Sequence, residues 1–404
     1  MRSKYLMKQS RFFLLMFNMF IAMMGFGLIF PILPDFLKEF NAGGQTAGYL
    51  VAAFGLTQFI FSPIAGRMSD KYGRKIMIIV GLLLFAISNF IFALAGHVSL
   101  LFISRLIIGI GAAAMIPSML AYVADITTAE NRGKGLSLMA ASMSLGFAIG
   151  PGFGGFLAEF GLRTPLYVSA VVAAIAVISS MVLLPESLTK EKQLSAKEAN
   201  RNMESVIIQF GRSIRAPYFI LLVLVFSMTF GLANFEAIFP MFVDEKYNYT
   251  TREISIMITV GALIGSFIQM TLMGTLFKHF GEKSLINLTL LLSALSLILM
   301  LFSGNFYYIL VLTVLFFSFT SMMRPAINTL LSKSVGEAEQ GFVAGMNNAY
   351  MSLGNIFGPA VAGTLYGFSI NAPNVFGAAV LVFSLYLSFS GKRSPITISK
   401  KLDS

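Results

Sequence analysis

Three ionisable side chains fall clearly inside long apolar stretches of this sequence, away from their terminal residues: Arg105, Glu236 and Arg324. A charge in the middle of a membrane-spanning helix costs at least ~2.5 kcal/mol on insertion scales, so each requires a partner, a wet cavity or a task. Glu236 is the one suited to exchanging a proton. A carboxyl group in low dielectric favours its neutral form, and alternating hydration lets such a group take up a proton and release it. Once ionised it attracts cations, so a proton and a cationic solute can compete for one site. The opposing reading is a structural Glu236 held permanently by an arginine. Arg324 is available for that role, although the sequence does not show the contact. Arg105 stands near the outer end of its stretch, where a long side chain can also reach the interface.

The elements that must position these groups follow from composition. The chain has 404 residues, 56% apolar and 12% charged, with a formal net charge of +11. Soluble domains carry about 25% charged residues, so this chain has too little polar material for a water-facing exterior. At ~20 apolar residues per crossing, its length holds roughly a dozen spans. Apolar runs near 12–34, 47–66, 76–96, 100–123, 136–159 and 165–185, then 217–241, 254–277, 284–303, 306–331, 343–367 and 374–391, predict twelve transmembrane helices. The first run follows Arg2, Lys4, Lys8 and Arg11 in the manner of a signal sequence, but its length and lack of a small-residue cleavage site favour a retained helix. The long polar stretch after span six reads as a cytoplasmic linker, 187–215, between an N-terminal six-helix half, 1–186, and a C-terminal half, 216–404.

Charge placement gives an orientation. Of the 29 Lys and Arg residues, only Lys38, Arg163, Lys246 and Arg252 fall in the odd-numbered connections, and only Arg105 and Arg324 within spans. The basic side is expected to be cytoplasmic, with both termini inside. Dispersed in this way, the positive excess reads as a topology signal and not as a nucleic-acid surface. Cysteine is absent and the two histidines, His97 and His279, sit at loop positions, so neither disulfides nor a metal centre is expected. No GxxxxGK[ST] sequence occurs, so ATP hydrolysis by this chain is not expected and any pumping would draw on an ion gradient; the chain is expected to be a transporter, not an enzyme, and to use no cofactor.

The sequence repeats itself at one offset. MSLGFAIGPGFGGFL from Met143 returns as MSLGNIFGPAVAGTL from Met351, 208 residues later, and GRMSDKYGRK from Gly66 aligns with GTLFKHFGEK from Gly274. At an offset of 209, Ile29, Phe30, Pro31 and Asp35 match Ile238, Phe239, Pro240 and Asp244. Equivalent helices carry each match, which predicts two parallel six-helix repeats, an architecture that places a site near the bilayer midplane.

The decapeptide from Gly66 to Lys75 has physical uses of its own. Its glycines permit a tight turn and close helix approach, Asp70 can accept amide hydrogen bonds where span three begins, and Arg74 is available to an acid such as Asp125. In span five, Gly146, Gly150 and Gly154 share a face that lets another backbone approach, and Pro151 removes one helical hydrogen bond. Gly66, Asp70, Gly73, Arg74 and Lys75 resemble the signature Gly-x-x-x-Asp-x-x-Gly-Arg-Lys of the major facilitator superfamily. GFAIGPGFGGFL in span five resembles the motif of its drug/proton antiporters, as do MGFGLIFPILPDF in span one and SRLIIGIGAA around Arg105. With GLANFEAIFPMF around Glu236 and MMRPAINT around Arg324, the likeness is to the twelve-helix NorA/Bmr-type multidrug efflux pumps.

That resemblance implies the major facilitator fold, an all-α membrane protein of two pseudo-symmetric six-helix halves in the cell membrane, expected to be a monomer. It implies proton-coupled export of amphipathic, often cationic drugs and dyes, such as fluoroquinolones, with Glu236, Arg324 and Arg105 in proton coupling and Glu236, Gln58 and Asn347 near the substrate. It further implies a gate at Gly66, Asp70, Gly73, Arg74 and Asp125, and a conformational motif at Gly146, Gly150, Pro151 and Gly154. Two departures stand out. Lys278 replaces Asp70 in the second repeat, which puts a matching latch in doubt, and Ser321 stands where these pumps carry a second acidic residue. The repeat and Glu236 also fit a proton-coupled symporter importing a small metabolite. Protons and membrane lipid are the remaining expected partners.

Overall fold

The computed structural model describes residues 2–188, 206–336 and 339–390. Most of the expected linker, 189–205, therefore lies outside the described residues. The described helices are α1 (Arg2–Gly27), α2 (Ile29–Lys38), α3 (Gly44–Tyr72), α4 (Arg74–Ala93), α5 (Val98–Ile126), α6 (Ala129–Ala158) and α7 (Thr164–Leu183). After the linker come α8 (Val206–Ile214), α9 (Phe219–Tyr247), α10 (Thr251–Thr271), α11 (Met273–Leu299), α12 (Phe306–Lys333), α13 (Gln340–Tyr366) and α14 (Ala372–Ser390).

Eleven helices among the described residues are long and apolar enough to cross a membrane, with α1 and α2 counted as one span from Ser10 to Lys38. The twelfth expected span is α13, whose 27 residues reach ~40 Å at 1.5 Å per residue. It carries Gln340, Asn347, Asn348 and Asn355 among its glycines, so its length rather than its hydropathy marks it as a span. Several helices also outrun their apolar stretches; α6 begins at Ala129 rather than near 136, its first turns being polar.

The exterior is apolar, as lipid requires. On α7, Val171, Ile175, Ile178 and Val182 form one exposed stripe at helical spacing, while Ala173, Ala176 and Ser180 face inward and are buried. Large outside and small inside is the pattern of a helix that packs closely on neighbours and greets hydrocarbon on its other face.

The chain divides into two compact units: Met1–Ala42 with Ala53–Met203, and Gly43–Ala52 with Glu204–Ser404. In the first, Leu15, Met19, Leu82, Phe85, Ile108 and Met119 are fully buried at the helix crossings. The span-five glycines of α6 lie on α1: a Cβ at Gly150 would come 2.9 Å from Gly27 Cα, and Gly146 and Gly154 meet the backbone of Phe20 and of Leu28. The second unit repeats the contact between α13 and α9, where a Cβ at Gly358 would reach the Phe230 carbonyl at 2.6 Å. Helix starts keep the repeat spacing too, Val98 with Phe306 and Thr164 with Ala372.

Turn chemistry fixes the ends. Thr250 and Glu253 form a reciprocal capping box at the start of α10, and the Asn305 side chain accepts the Tyr307 and Tyr308 amides at the start of α12. Between α9 and α10, burial pushes the Tyr249 phenol up to about 12, so it stays a donor to the Gly304 carbonyl at 2.9 Å.

Candidate functional site

Glu236 lies in the middle of α9. Its neighbours Phe235 and Ala237 are each 1% exposed, whereas Glu236 itself is partly exposed. An aromatic cluster sets this orientation. The Phe235 ring centroid is 4.6 Å from Phe239, 4.3 Å from Phe316 and 5.7 Å from Phe317, which ties one face of α9 to α12. Successive helical residues point ~100° apart, so anchoring Phe235 turns Glu236 away from the aromatic packing. Its carboxylate has no hydrogen bond or ion pair among the described residues.

Arg324 does not hold Glu236. Its guanidinium Nη2 points at the Met351 sulfur, 3.7 Å away, and the Asn347 amide Nδ2 approaches the same sulfur at 3.9 Å. Two of the residues picked out in the sequence thus converge on Met351, which the sequence did not single out. The Asn347 Oδ1 is buried with no hydrogen-bond partner among the described residues. Asn347 also lines a cleft of about 250 Å³ between α12 and α13, with Asn328, Ser332 and Gln340. These are uncharged hydrogen-bonding groups, suited to a carbonyl or hydroxyl. Gln58 belongs to the other unit, on α3, where its backbone carbonyl accepts from the Ser62 hydroxyl at 2.6 Å.

The Ser321 hydroxyl lies 2.9 Å from the Gly265 carbonyl and 2.9 Å from the Ser318 carbonyl, between which its one proton is shared. It ties α12 to α10. Asn234, one turn before Ile238 on α9, is 1% exposed and its Nδ2 lacks a partner among the described residues.

Arg105 is packed among the helices and only 7% exposed. Its guanidinium lies over the Phe92 ring at 4.6 Å, Phe92 contacts Phe36 at 5.1 Å, and the Arg163 guanidinium lies 5.3 Å over Phe36. Arg163 in turn donates to the Ala93 and Ala95 carbonyls at the C-terminal end of α4 and pairs with Glu39 at 2.7 Å. A cation at a helix C-terminus satisfies carbonyls the helix leaves over. The ladder joins α2, α4 and α5 and ends at the turn before α7.

The decapeptide from Gly66 is mostly helix. Gly66 through Tyr72 form the last turns of α3, and Gly73 alone, at φ +107°, makes the turn into α4. The expected close packing at Gly66 is absent, with open space where its side chain would be. Arg74 lies 3.6 Å from Asp125, the acid expected within its reach, and also pairs with Asp70, which the sequence did not anticipate. Asp70 does not cap α4, however. That place is taken by Glu186, whose Oε1 accepts the Arg74 amide at 2.9 Å and whose Oε2 accepts the Lys75 amide at 3.1 Å. The reason is steric: Asp70 is in the preceding helix and engaged with the Arg74 side chain, while the chain leaving α7 passes directly over the exposed amides. Lys75 Nζ donates to the Met181 carbonyl at 2.8 Å, Tyr122 to the Pro185 carbonyl at 2.7 Å, and Ser187 to Asp125 at 3.0 Å. Glu186 is the last residue of the N-terminal half as the sequence divides it, and the sequence assigns it no role; its position after an apolar run and a proline is the available signal.

Known proteins agree with this architecture. The Major Facilitator Superfamily pattern matches residues 15–272 and again 221–402. Multidrug resistance protein 2 of Bacillus subtilis is 42% identical over 387 residues, covering 95% of this chain and 96% of that protein. Quinolone resistance protein NorA of Staphylococcus aureus is 36% identical over 365 residues, covering 90% of this chain and 92% of its own length. The solved structure of a variant of the nucleoside transporter NupG superposes with a TM-score of 0.80 at 14% identity, covering 94% of this chain and 99% of that one, a likeness of fold. Helices, internal repeat and family pattern together make this chain a member of the Major Facilitator Superfamily.

Proposed function

We propose that the chain is a proton-driven multidrug exporter, expelling amphipathic and often cationic compounds such as fluoroquinolones and dyes. The observation that carries the reading is Glu236, a carboxylate in the middle of an apolar helix, partly accessible and unpaired among the described residues. Such a group is available to a proton and to a cationic solute in turn, and exchange follows when each displaces the other. The names of the relatives, multidrug and quinolone resistance proteins, support drugs as the cargo. Arg105 and Arg324 assist proton movement in this reading, and Gln58 and Asn347 contact substrate. The moving bodies are the halves 1–186 and 216–404 of a monomer in the cell membrane, both termini cytoplasmic, alternately exposing the site through the gate at Asp70, Arg74 and Asp125. The proton gradient is the drive, with no cofactor.

The test is dye accumulation in cells expressing the chain, with and without an uncoupler. Expression lowers accumulation and the uncoupler restores it. Glu236→Gln removes gradient-driven efflux while the protein remains in the membrane at its usual level, since no ion pair is broken. Proton-coupled efflux that survives Glu236→Gln unchanged would sink the assignment.

A further inference from the structure

The second repeat carries the gate with its charges reversed. At the repeat offset of 208 residues, Asp70 aligns with Lys278, Arg74 with Glu282 and Asp125 with Lys333. All three positions keep a charge and all three change its sign. The backbone repeats with them: Gly73 has φ +107° and Gly281 φ +69°, each at a positive φ that favours glycine, the first separating α3 from α4 and the second kinking α11. In the first unit Arg74 reaches Asp125 at the end of α5. In the second, the ion pair between the aligned positions is also made, with Lys333 Nζ at the end of α12 lying 2.6 Å from Glu282 Oε1.

A latch that had merely decayed would leave unmatched charges at these positions. Complementarity kept through reversal at both partners points to a retained task. We propose that Glu282 and Lys333 are positioning residues of the transport cycle, a second gate of opposite polarity that forms in one conformation and opens in the other. This rests on the transporter reading given above. The two gates differ in support. Glu186 lies against Gly73 and caps the following helix, whereas the space where a side chain at Gly281 would stand is open. The second gate therefore depends on its ion pair, and Lys333 is well exposed, so its opening responds directly to the loss of that pair.

The experiment uses the full chain and initial rates of ethidium efflux across a range of dye concentrations. Glu282→Lys and Lys333→Glu each place like charges opposite one another and lower the maximal rate about fivefold, with the half-saturating dye concentration unchanged. The double exchange, Glu282→Lys with Lys333→Glu, restores the rate to within about twofold. The natural absence of cysteine permits a second measurement without background: Glu282→Cys with Lys333→Cys, joined by a short thiol-reactive cross-linker, arrests efflux, and a cleavable linker reverses the arrest on reduction. Single exchanges that transport normally, or a double exchange as slow as the singles at equal membrane level, overturn the proposal. So does a cross-linked chain that still pumps. Absence of efflux by the unaltered chain overturns the export reading itself, which separates the two failures.

Discussion

Replacing Glu186 by Ala tests whether the segment leaving α7 is part of the gate or a passing strand of linker. The wild-type carboxylate accepts four amides, those of Arg74 at 2.9 Å, Lys75 at 3.1 Å, Ser187 at 2.9 Å and Leu188 at 3.1 Å. Gly73 supplies no side-chain cap of its own, so the first turn of α4 has no substitute acceptor on its own residue. Loss of a capping side chain costs ~1 kcal/mol, and removing a negative charge from a helix N-terminus adds about 0.3–1 kcal/mol. Water reaches these amides and recovers part of the loss, which places the total near 1–2 kcal/mol, a factor of about 5–30 in the population of the capped state. Leu184 is buried and the Tyr122 and Lys75 contacts to the same segment remain, so the chain still folds. The assay pairs the unfolding temperature of the purified protein with its initial rate of dye efflux. Glu186→Ala lowers both, and Glu186→Gln, which keeps one acceptor oxygen and loses the charge, falls between. Unchanged unfolding and unchanged efflux in Glu186→Ala would refute the reasoning, because the four hydrogen bonds would then be doing no more than water does.

Three other outcomes follow from the packing. Gly150→Leu forces a side chain into the backbone of α1 and, at ~1–3 kcal/mol for overpacking even in a yielding core, reduces the membrane level of the protein, whereas Gly66→Ala enters open space and leaves it unchanged; immunoblots of membranes check both. Arg105→Lys keeps the charge but loses the planar stack on Phe92, worth ~0.5–2 kcal/mol, and slows proton-driven efflux less than Arg105→Ala does. Ser321→Asp places a carboxyl group against the Gly265 carbonyl that Ser321 now faces, adding an acid to the C-terminal half's spans. Improved export of dications by that variant links the serine to specificity, and export no better than before removes the link.

Several features were legible because they are one-dimensional. Apolar runs of spanning length, their loop charges and the 208-residue repeat report the solvent and the symmetry directly, since lipid obliges each span to satisfy its own backbone. Spacing also foretold the Arg74 and Asp125 pair and the close approach at Gly150. Span boundaries were less legible, because helices continue into the polar interface and α13 spends part of its sequence on asparagine and glycine. Other partner choices were hidden. Asp70 and Glu186 are both acids near the α4 amides, and distance along the chain favours Asp70, yet the carboxylate that arrives there comes from 112 residues away.

By itself, then, the sequence determined that the chain lives in a membrane, that it is built from two copies of a six-helix plan, and that one carboxylate, Glu236, stands within the apolar spans. Those properties depend on composition and order alone. Only the tertiary structure decided that Glu236 is turned away from its aromatic neighbours and unpaired among the described residues, that Arg324 and Asn347 meet at Met351, and that Lys333 reaches Glu282. A side chain's partner is set by which helix faces pack together and at what rotation, and that is fixed by contacts between residues far apart in the chain.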